Sequence, residues 1–312
     1  MQALFRKICF LFIIIGCYLI TIQLLISWRI SGVSINGQDN LEQSANRNVE
    51  IVFVGNSRCI TSFMPKRFQV KGIKAINLGL HGHPSLSFVE NRVSDYLKRN
   101  KKQPKVICIS FDVFSMSKKQ KSILMKDRFA RYAFIPREEN LIMLDYFGFN
   151  WAERIIPAYA LLKYRKLSDA LLLNNQSQWL SIGMETESTQ ICDNGQILSS
   201  EEVKSNYRKK KDDDILISEL RLLDIKFKKM GITLVAIQVP VFETIYNNRF
   251  KATEKICQDA GVPFIDLAIE RYNKDCSLFK DLNHLNTKGA QLISDSVARY
   301  LQSNLLIKSK TS

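Results

Sequence analysis

Two short segments contain residue types that together support nucleophilic catalysis. Glu50–Arg58 reads E-I-V-F-V-G-N-S-R and places Ser57 on a turn after an apolar run, while Asp281 and His284 lie three residues apart on a predicted loop near the C-terminus. A carboxylate at that spacing can fix the tautomer of the imidazole and leave its second nitrogen free to deprotonate a serine. Each segment also has a purely structural explanation, as a helix-capping serine and as an Asp–His pair that closes a helix N-terminus.

The elements around Ser57 favour a position at the edge of a parallel sheet. Ile51–Val54 is too short for a helix and too evenly apolar for a half-exposed strand, which predicts a strand buried on both faces. A turn at Gly55–Ser57 follows, and a helical pattern resumes around Cys59–Phe68. Open α/β folds bind ligands at the carboxyl edge of their strands, where a helix N-terminus also offers amides to an anion.

The rest of the chain alternates between strand and helix patterns, which implies a parallel sheet covered on both faces. We therefore predict a three-layer α/β/α domain of flavodoxin-like architecture. The further predicted strands are Ala75–Leu80, Val106–Ile109, Leu234–Val239 and Phe264–Ala268, and the helices are Pro84–Lys98, about Asp213–Met230, about Phe242–Asp259 and a last one ending near Leu301.

These segments together resemble the SGNH/GDSL hydrolase superfamily. G-N-S at Gly55–Ser57 stands where many members have G-D-S, and D-L-N-H at Asp281–His284 matches the final block. N-L-G-L-H-G at Asn77–Gly82 fits the second block, and Gly82 falls on the oxyanion-hole glycine of the family. The third block departs, because the family usually has G-x-N-D after its third strand and this chain has Ser110–Asp112.

The resemblance implies acyl-ester chemistry. Ser57 would attack an acyl carbonyl, His284 would take and return its proton, and Asp281 would orient the imidazole. The amides of Ser57 and Gly82 would stabilise the oxyanion. An ionised Asp112 cannot donate a hydrogen bond, so that donor is missing, Asp112 is protonated, or it has another role.

Four further residues, beside Ser57 and in the glycine-rich second block, are predicted to bind substrate: Asn56, Arg58, His81 and His83. A zinc site formed by His81 and His83 with Asp281 and His284 is an alternative interpretation. The preferred one needs neither a metal nor another cofactor.

The N-terminal segment Ile8–Ile26 contains no charged residue and is followed by Trp28. As a helix rising about 1.5 Å per residue, it comes close to the hydrocarbon thickness of a bilayer. We predict an uncleaved anchor over residues 1–28, since the apolar region of a cleaved signal peptide would be shorter and no A-x-A-like site follows. Arg6 and Lys7 before the segment predict a cytoplasmic N-terminus and an extracytoplasmic catalytic domain.

Behind the anchor we predict a polar linker over residues 29–48 and one domain over residues 49–306. An interval of about 113–212 is too long for a loop and is predicted to be a helical insertion. Its basic clusters indicate either a solvated cap or a surface for an acidic glycan or a membrane partner. The formal charge of +15 also suggests an anionic neighbour, although no aromatic-interleaved basic motif supports nucleic acid.

The cysteine content argues against a regular disulfide framework or a zinc ribbon. Two of the seven cysteines lie in the predicted anchor, which leaves an odd number behind it and no C-x-x-C motif. Those that lie within or beside predicted strands, Cys59 and Cys108, are interpreted as small core residues.

An anchored domain with a G-N-S-R turn and a D-x-x-H-L-N-x-x-G-A ending resembles the SGNH proteins that accompany membrane-bound O-acyltransferases. That resemblance predicts O-acetylation of a bacterial surface polysaccharide outside the cytoplasmic (inner) membrane, with an acyl donor supplied through such a transferase. Two alternatives stay open. One is an envelope esterase or deacetylase that uses water as acceptor, and the other is a non-catalytic glycan-binding or scaffold protein.

Overall fold

The structure is a computed structural model that describes residues 1–31, 44–80, 85–111, 210–242 and 248–306. The chain divides into two compact units. The first comprises Met1–Asp39 and Lys121–Ser177, and the second comprises Asn40–Gln120 and Gln178–Ser312. The predicted linker and insertion lie mostly outside the described residues.

In the first unit, the described residues form one helix, α1 (Gln2–Ser31). Within it, Gln2–Ile26 is long and apolar enough to cross a membrane, by length and composition. A signal sequence would meet the same criteria. The helix exposes large apolar side chains such as Phe5, Phe10 and Phe12.

The second unit contains a five-stranded parallel sheet. Its strands are β1 (Ile51–Val54), β2 (Ala75–Asn77), β3 (Val106–Ser110), β4 (Thr233–Gln238) and β5 (Phe264–Asp266), in the order β2-β1-β3-β4-β5. The chain moves from β1 to β2 on one side and returns to β3 on the other, so the strand order reverses beside β1. Reversal points of this kind form the ligand-binding crevice of flavodoxin-like sheets.

Helices cover both faces of this sheet, which confirms the three-layer prediction. The helices of this unit are α2 (Ser57–Ser62), α3 (Pro65–Val70), α4 (Leu86–Arg99), α5 (Lys210–Lys229), α6 (Asn248–Ala260), α7 (Glu270–Asn273) and α8 (Thr287–Leu301). Val52 and Val54 of β1 pack in one core with the helices α4, α5 and α6. Phe53 of the same strand packs in a second core with α2, α3 and α8.

The single helix predicted over Cys59–Phe68 is wrong, because two short helices occupy this segment. Proline has no amide hydrogen and disfavours helical dihedrals in the residue before it. Met64, which precedes Pro65, is accordingly extended, with φ −101° and ψ 100°. The helix that carries Ser57 therefore ends at Ser62.

Boundaries beside the site also differ from the prediction. Phe242, the predicted start of a helix, instead donates its amide to the Leu282 carbonyl at 3.0 Å, and the helix is described over Asn248–Ala260. The second strand ends at Asn77, yet the amide of Leu80 still donates to the Gly55 carbonyl at 3.0 Å. The segment after β2 therefore stays beside the turn that leads to Ser57.

Candidate active site

Ser57 is the first residue of α2 and follows β1 through a sharp turn at Gly55. Gly55 has a φ of 149°, a conformation that L side chains rarely adopt. A Cβ atom on Gly55 would lie 3.0 Å from the Ser110 Cβ and 3.1 Å from its carbonyl oxygen. Glycine therefore allows the chain to turn against β3 and place Ser57 at the carboxyl edge of the sheet.

Asn56, predicted to bind substrate, caps the helix that carries Ser57. Its Oδ1 accepts hydrogen bonds from the amides of Arg58 at 3.0 Å and Cys59 at 3.4 Å. The residue is 1% exposed. Its side chain therefore satisfies helix-end donors that would otherwise lack partners and fixes the start of α2.

The Ser57 amide is oriented by the same helix start. Within the described ranges, the Ser57 amide has no hydrogen-bond acceptor, whereas the next two amides are taken by Asn56. An amide that has no acceptor at a helix N-terminus can donate a hydrogen bond to an oxyanion. The other predicted oxyanion positions, Gly82 and Asp112, lie outside the described residues.

Asp281 and His284 lie on a two-stranded antiparallel hairpin rather than on the predicted loop. Its strands are β6 (Phe279–Asp281) and β7 (His284–Leu285), and Asp281 is paired directly with His284. The Asn283 amide donates to Asp281 Oδ1 at 2.9 Å and closes the turn. Hairpin pairing thus places the carboxylate and the imidazole opposite each other.

The structure brings the three predicted catalytic residues into one hydrogen-bonded series. His284 Nδ1 lies 2.9 Å from both carboxylate oxygens of Asp281. His284 Nε2 lies 2.8 Å from Ser57 Oγ, although the two residues are 227 positions apart in the sequence. This arrangement can transfer the Ser57 proton to His284 while Asp281 stabilises the resulting imidazolium.

The Asp281 carboxylate is suited to pairing with a cation. Desolvation of the carboxyl raises its pKa, but the hydrogen bond and charge of His284 and the amides of Asn283 and His284 outweigh that effect. The pKa of Asp281 therefore lies below its ordinary value. The carboxyl is accordingly ionised at neutral pH, and it can accept a hydrogen bond from the imidazole N–H.

Asn77 is a buried polar residue whose role the sequence reasoning missed. Its Nδ2 donates to the carbonyls of Cys59 at 2.9 Å and Phe63 at 2.8 Å, and its Oδ1 accepts from the Gly79 amide at 2.9 Å. The residue is fully buried. It therefore joins the end of the Ser57 helix to the segment after β2. The Asn-x-Gly pattern at the end of a strand was the available signal.

The segment after β2 is held from a second side by Arg92 of α4. Arg92 Nε donates to the Leu78 carbonyl at 2.9 Å, and Arg92 is 4% exposed. The predicted substrate-binding residue Arg58 is also buried, at 5% exposed. Its predicted role is not tested by this geometry. His81 and His83 lie outside the described residues.

The buried cysteines provide no nucleophile to compete with Ser57. Burial raises the pKa of the thiols of Cys59, Cys108 and Cys257, the last to about 12. Cys276 is disulfide-bonded, and its partner lies outside the described residues. Among the described residues, no group of three or more His, Cys, Asp or Glu side chains could hold a metal ion. The zinc alternative depends on His81 and His83, outside that set.

Comparisons with known proteins return structural similarities only. No family model matches the chain, and no curated protein matches it. A protein from Bacteroides fragilis NCTC 9343 assigned as an acylhydrolase is 12% identical, with a TM-score of 0.37 over 82% of this chain and 87% of its own. A protein from Desulfitobacterium hafniense DCB-2 assigned to the G-D-S-L lipolytic family is 10% identical, with a TM-score of 0.36 over 80% and 98%.

The acetyl xylan esterase AlAXEase is 13% identical, with a TM-score of 0.38 over 82% of this chain and 100% of its own. Similarities of this size do not establish a family, and they assign no role to any residue of this chain. The chemistry of the site follows from its own geometry.

Proposed function

We propose that this protein is a serine-dependent acyl-ester enzyme in which Ser57 is the nucleophile. The observation that carries the proposal is the continuous hydrogen bonding from Ser57 Oγ through His284 to Asp281, at 2.8 Å and 2.9 Å. A capping serine and a helix-closing Asp–His pair would not need to meet. Their meeting at the carboxyl edge of β1 supports a catalytic interpretation.

The proposed reaction proceeds in two steps. Ser57 Oγ attacks the acyl carbonyl of an ester while His284 Nε2 accepts its proton, and the Ser57 amide donates to the oxyanion. His284 then returns the proton to the leaving alkoxide, which leaves an acyl group on Ser57. In the second step, His284 deprotonates an acceptor hydroxyl that attacks this acyl group, and it returns that proton to Ser57 Oγ as the acyl–serine bond breaks.

We further propose that the protein acts outside the cytoplasmic membrane, tethered by α1. The apolar length of Gln2–Ile26 supports a membrane span. The disulfide at Cys276 supports an oxidising compartment, because structural disulfides persist mainly outside the cytoplasm. Arg6 and Lys7, which precede the uncharged part of that helix (Ile8–Ile26), support a cytoplasmic N-terminus.

The topology has a direct test. A phosphatase reporter fused after Lys308 should be active in cells, because that enzyme matures only outside the cytoplasm. The same fusion without residues 2–28 should be inactive, which shows that export depends on α1. An inactive full-length fusion of normal abundance would overturn both the topology and the envelope location.

The proposed acceptor is a hydroxyl of a bacterial surface polysaccharide, and the acyl group is acetyl. Two features support this choice. The formal charge of +15 favours an anionic polymer or membrane surface as neighbour. A tether at the membrane would hold the enzyme beside a membrane-bound O-acyltransferase, which we propose as the source of the acyl group.

A second candidate is an envelope esterase, in which water is the acceptor. The side chains of Asp281 and His284 are 52% and 28% exposed, so solvent reaches the site, and this favours hydrolysis. Transfer requires that the acceptor outcompete water at the acyl-enzyme. The two reactions share the same first step and differ only in the second.

The fate of the acyl group, either transfer to the glycan or release as acetate, distinguishes the two candidates. With a chromogenic acetyl ester and an anionic oligosaccharide, transfer should give acetylated glycan by mass spectrometry and less acetate than chromophore. Equal amounts of acetate and chromophore at every glycan concentration would reject transfer and establish the esterase. If chromophore release does not exceed that of Ser57→Ala, both enzymatic proposals fail and the scaffold interpretation stands.

A further inference from the structure

Two residues of the D-x-x-H-L-N-x-x-G-A segment, Asn286 and Gly289, have no part in the chemistry proposed so far. We infer that Asn286 is a positioning residue, which fixes the hairpin carrying Asp281 and His284 on the first turn of α8. The inference rests on the proposed function, since it concerns the alignment of His284 with Ser57.

The Asn286 carboxamide makes contacts in two directions. Its Oδ1 accepts from the Gly289 amide at 3.0 Å and caps α8. Its Nδ2 donates to the carbonyls of Ser277 at 2.8 Å and Phe279 at 3.3 Å, on the chain that enters the hairpin. The residue is 1% exposed. One buried side chain therefore caps the helix and also binds the backbone at the base of the hairpin.

Gly289 allows the helix to approach the hairpin backbone closely. A Cβ atom on Gly289 would lie 2.3 Å from the Leu278 carbonyl oxygen and 3.0 Å from Leu285 Cδ2. Any other residue would push α8 away from this chain segment. The Asn286 amide also donates to the Leu278 carbonyl at 2.9 Å. The first turn of α8 thus lies directly against the base of the hairpin.

The base of the hairpin controls the position of its catalytic tip. Phe279 lies two residues before Asp281 and is paired with Leu285, which follows His284. Phe279 and Leu285 are buried, whereas the Asp281 side chain is 52% exposed. Apart from the Phe242 amide, which donates to the Leu282 carbonyl in the turn, the exposed tip has little packing of its own, so its position depends strongly on what holds the base. A displacement of about 1 Å between reacting groups lowers a rate by about 100-fold.

Two substitutions separate the cap from the contact with the hairpin. Asn286→Asp keeps an oxygen that can cap α8 but replaces the Nδ2 donor with a carboxylate oxygen facing two carbonyls. Asn286→Ser keeps a shorter cap that cannot reach the hairpin. Both variants should fold with wild-type circular dichroism, and kcat should fall by about 100-fold for Asn286→Asp, with KM little changed.

Asn100→Ser is the matched control. Asn100 is also a buried asparagine bound to backbone, since its Oδ1 accepts from the Asn48 amide and its Nδ2 donates to the Tyr96 carbonyl. It caps the C-terminal end of α4, at the opposite edge of the sheet from Ser57. Its substitution should lower the melting temperature and leave kcat unchanged.

The decisive readout is a double-mutant cycle with His284→Ala. If Asn286 acts by aligning His284, Asn286→Asp should slow fluorophosphonate labelling of Ser57 in the wild-type background and cause no further loss in His284→Ala. A wild-type kcat in Asn286→Asp, or an equal loss in both backgrounds, would overturn the inference. The Asn100→Ser control shows how much a loss of stability alone changes kcat and the rate of labelling.

Hydrogen exchange distinguishes failure of the inference from failure of the proposed function. Asn286→Asp should increase amide exchange across residues 276–285 relative to wild type, and Ser57→Ala should not. A wild-type protein that does not label at Ser57 overturns the proposed function. Unchanged exchange across the hairpin in Asn286→Asp overturns the positioning role, whatever the activity.

Discussion

Ser57→Ala and His284→Ala should each abolish acyl-ester turnover, and the double variant should be hardly worse than either single one. The hydroxyl is a weak nucleophile until a base removes its proton, so the two side chains act as a unit through their 2.8 Å contact. Each loss should reach several thousand-fold or more, by analogy with the roughly 10⁶-fold effects known for such units. Steady-state kinetics with a chromogenic acetyl ester measure all three variants.

Asp281→Asn tests the third residue of the hydrogen-bonded series. It keeps the shape of the side chain but removes the negative charge that stabilises the imidazolium, so its loss should be smaller than or similar to that of His284→Ala. Additive losses for Ser57 and His284 would contradict a common mechanism. Circular dichroism of every variant excludes misfolding as the cause.

The largest loss of stability should follow substitution of Asn77 by Ala. That change removes the partner of the buried Phe63 carbonyl and of the buried Gly79 amide, whereas the Cys59 carbonyl still accepts from the Phe63 amide at 3.2 Å. Each of the two groups left unsatisfied costs about 1–3 kcal/mol, so the free energy of unfolding should fall by roughly 3 kcal/mol or more. Urea denaturation, with the midpoint and slope fitted together, measures the change.

Asn273→Ala is the comparison for Asn77. Asn273 is also buried, but its Nδ2 makes a single hydrogen bond, to the Ala268 carbonyl at 2.7 Å, and its Oδ1 has no partner in the described part of the chain. Its substitution should cost about 1 kcal/mol. Equal losses of unfolding free energy at the two positions would show that the contacts of Asn77 do not hold the helix that carries Ser57.

The sheet could be predicted from the sequence because its strands are short, continuous apolar runs. β1 and β3 are buried on both faces, and such segments stand out between polar turns. The position of Ser57 followed from the same logic, since a serine after a buried strand lies at the carboxyl edge. Local composition was therefore sufficient for the layers and for the place of Ser57.

The features that the sequence did not show are those set by distant partners. β7 is only two residues long, too short for any periodicity, so the hairpin that pairs Asp281 with His284 was predicted as a loop. Asn77 binds carbonyls 14 and 18 residues away, and its Asn-x-Gly pattern indicates a turn but does not identify these distant partners. The break before Pro65 was a local signal that the helical pattern around it concealed.

The sequence pattern also did not predict the capping role of Asn56 or the disulfide of Cys276. Asn56 lies in the same turn as Ser57, and its polarity suggested a substrate contact. In the structure its side chain bonds the amides of Arg58 and Cys59. The cysteine count gave no sign that Cys276 forms a disulfide, because pairing depends on which cysteines the fold brings together.

The most direct test of the account is covalent labelling of Ser57. Folded wild-type protein treated with a fluorophosphonate should gain one adduct by intact-mass spectrometry, and peptide mapping should place it on Ser57. Ser57→Ala should gain none, and His284→Ala should react much more slowly, because its serine lacks the base. An adduct on another residue, or equal labelling of wild type and His284→Ala, would contradict a Ser57 nucleophile activated by His284.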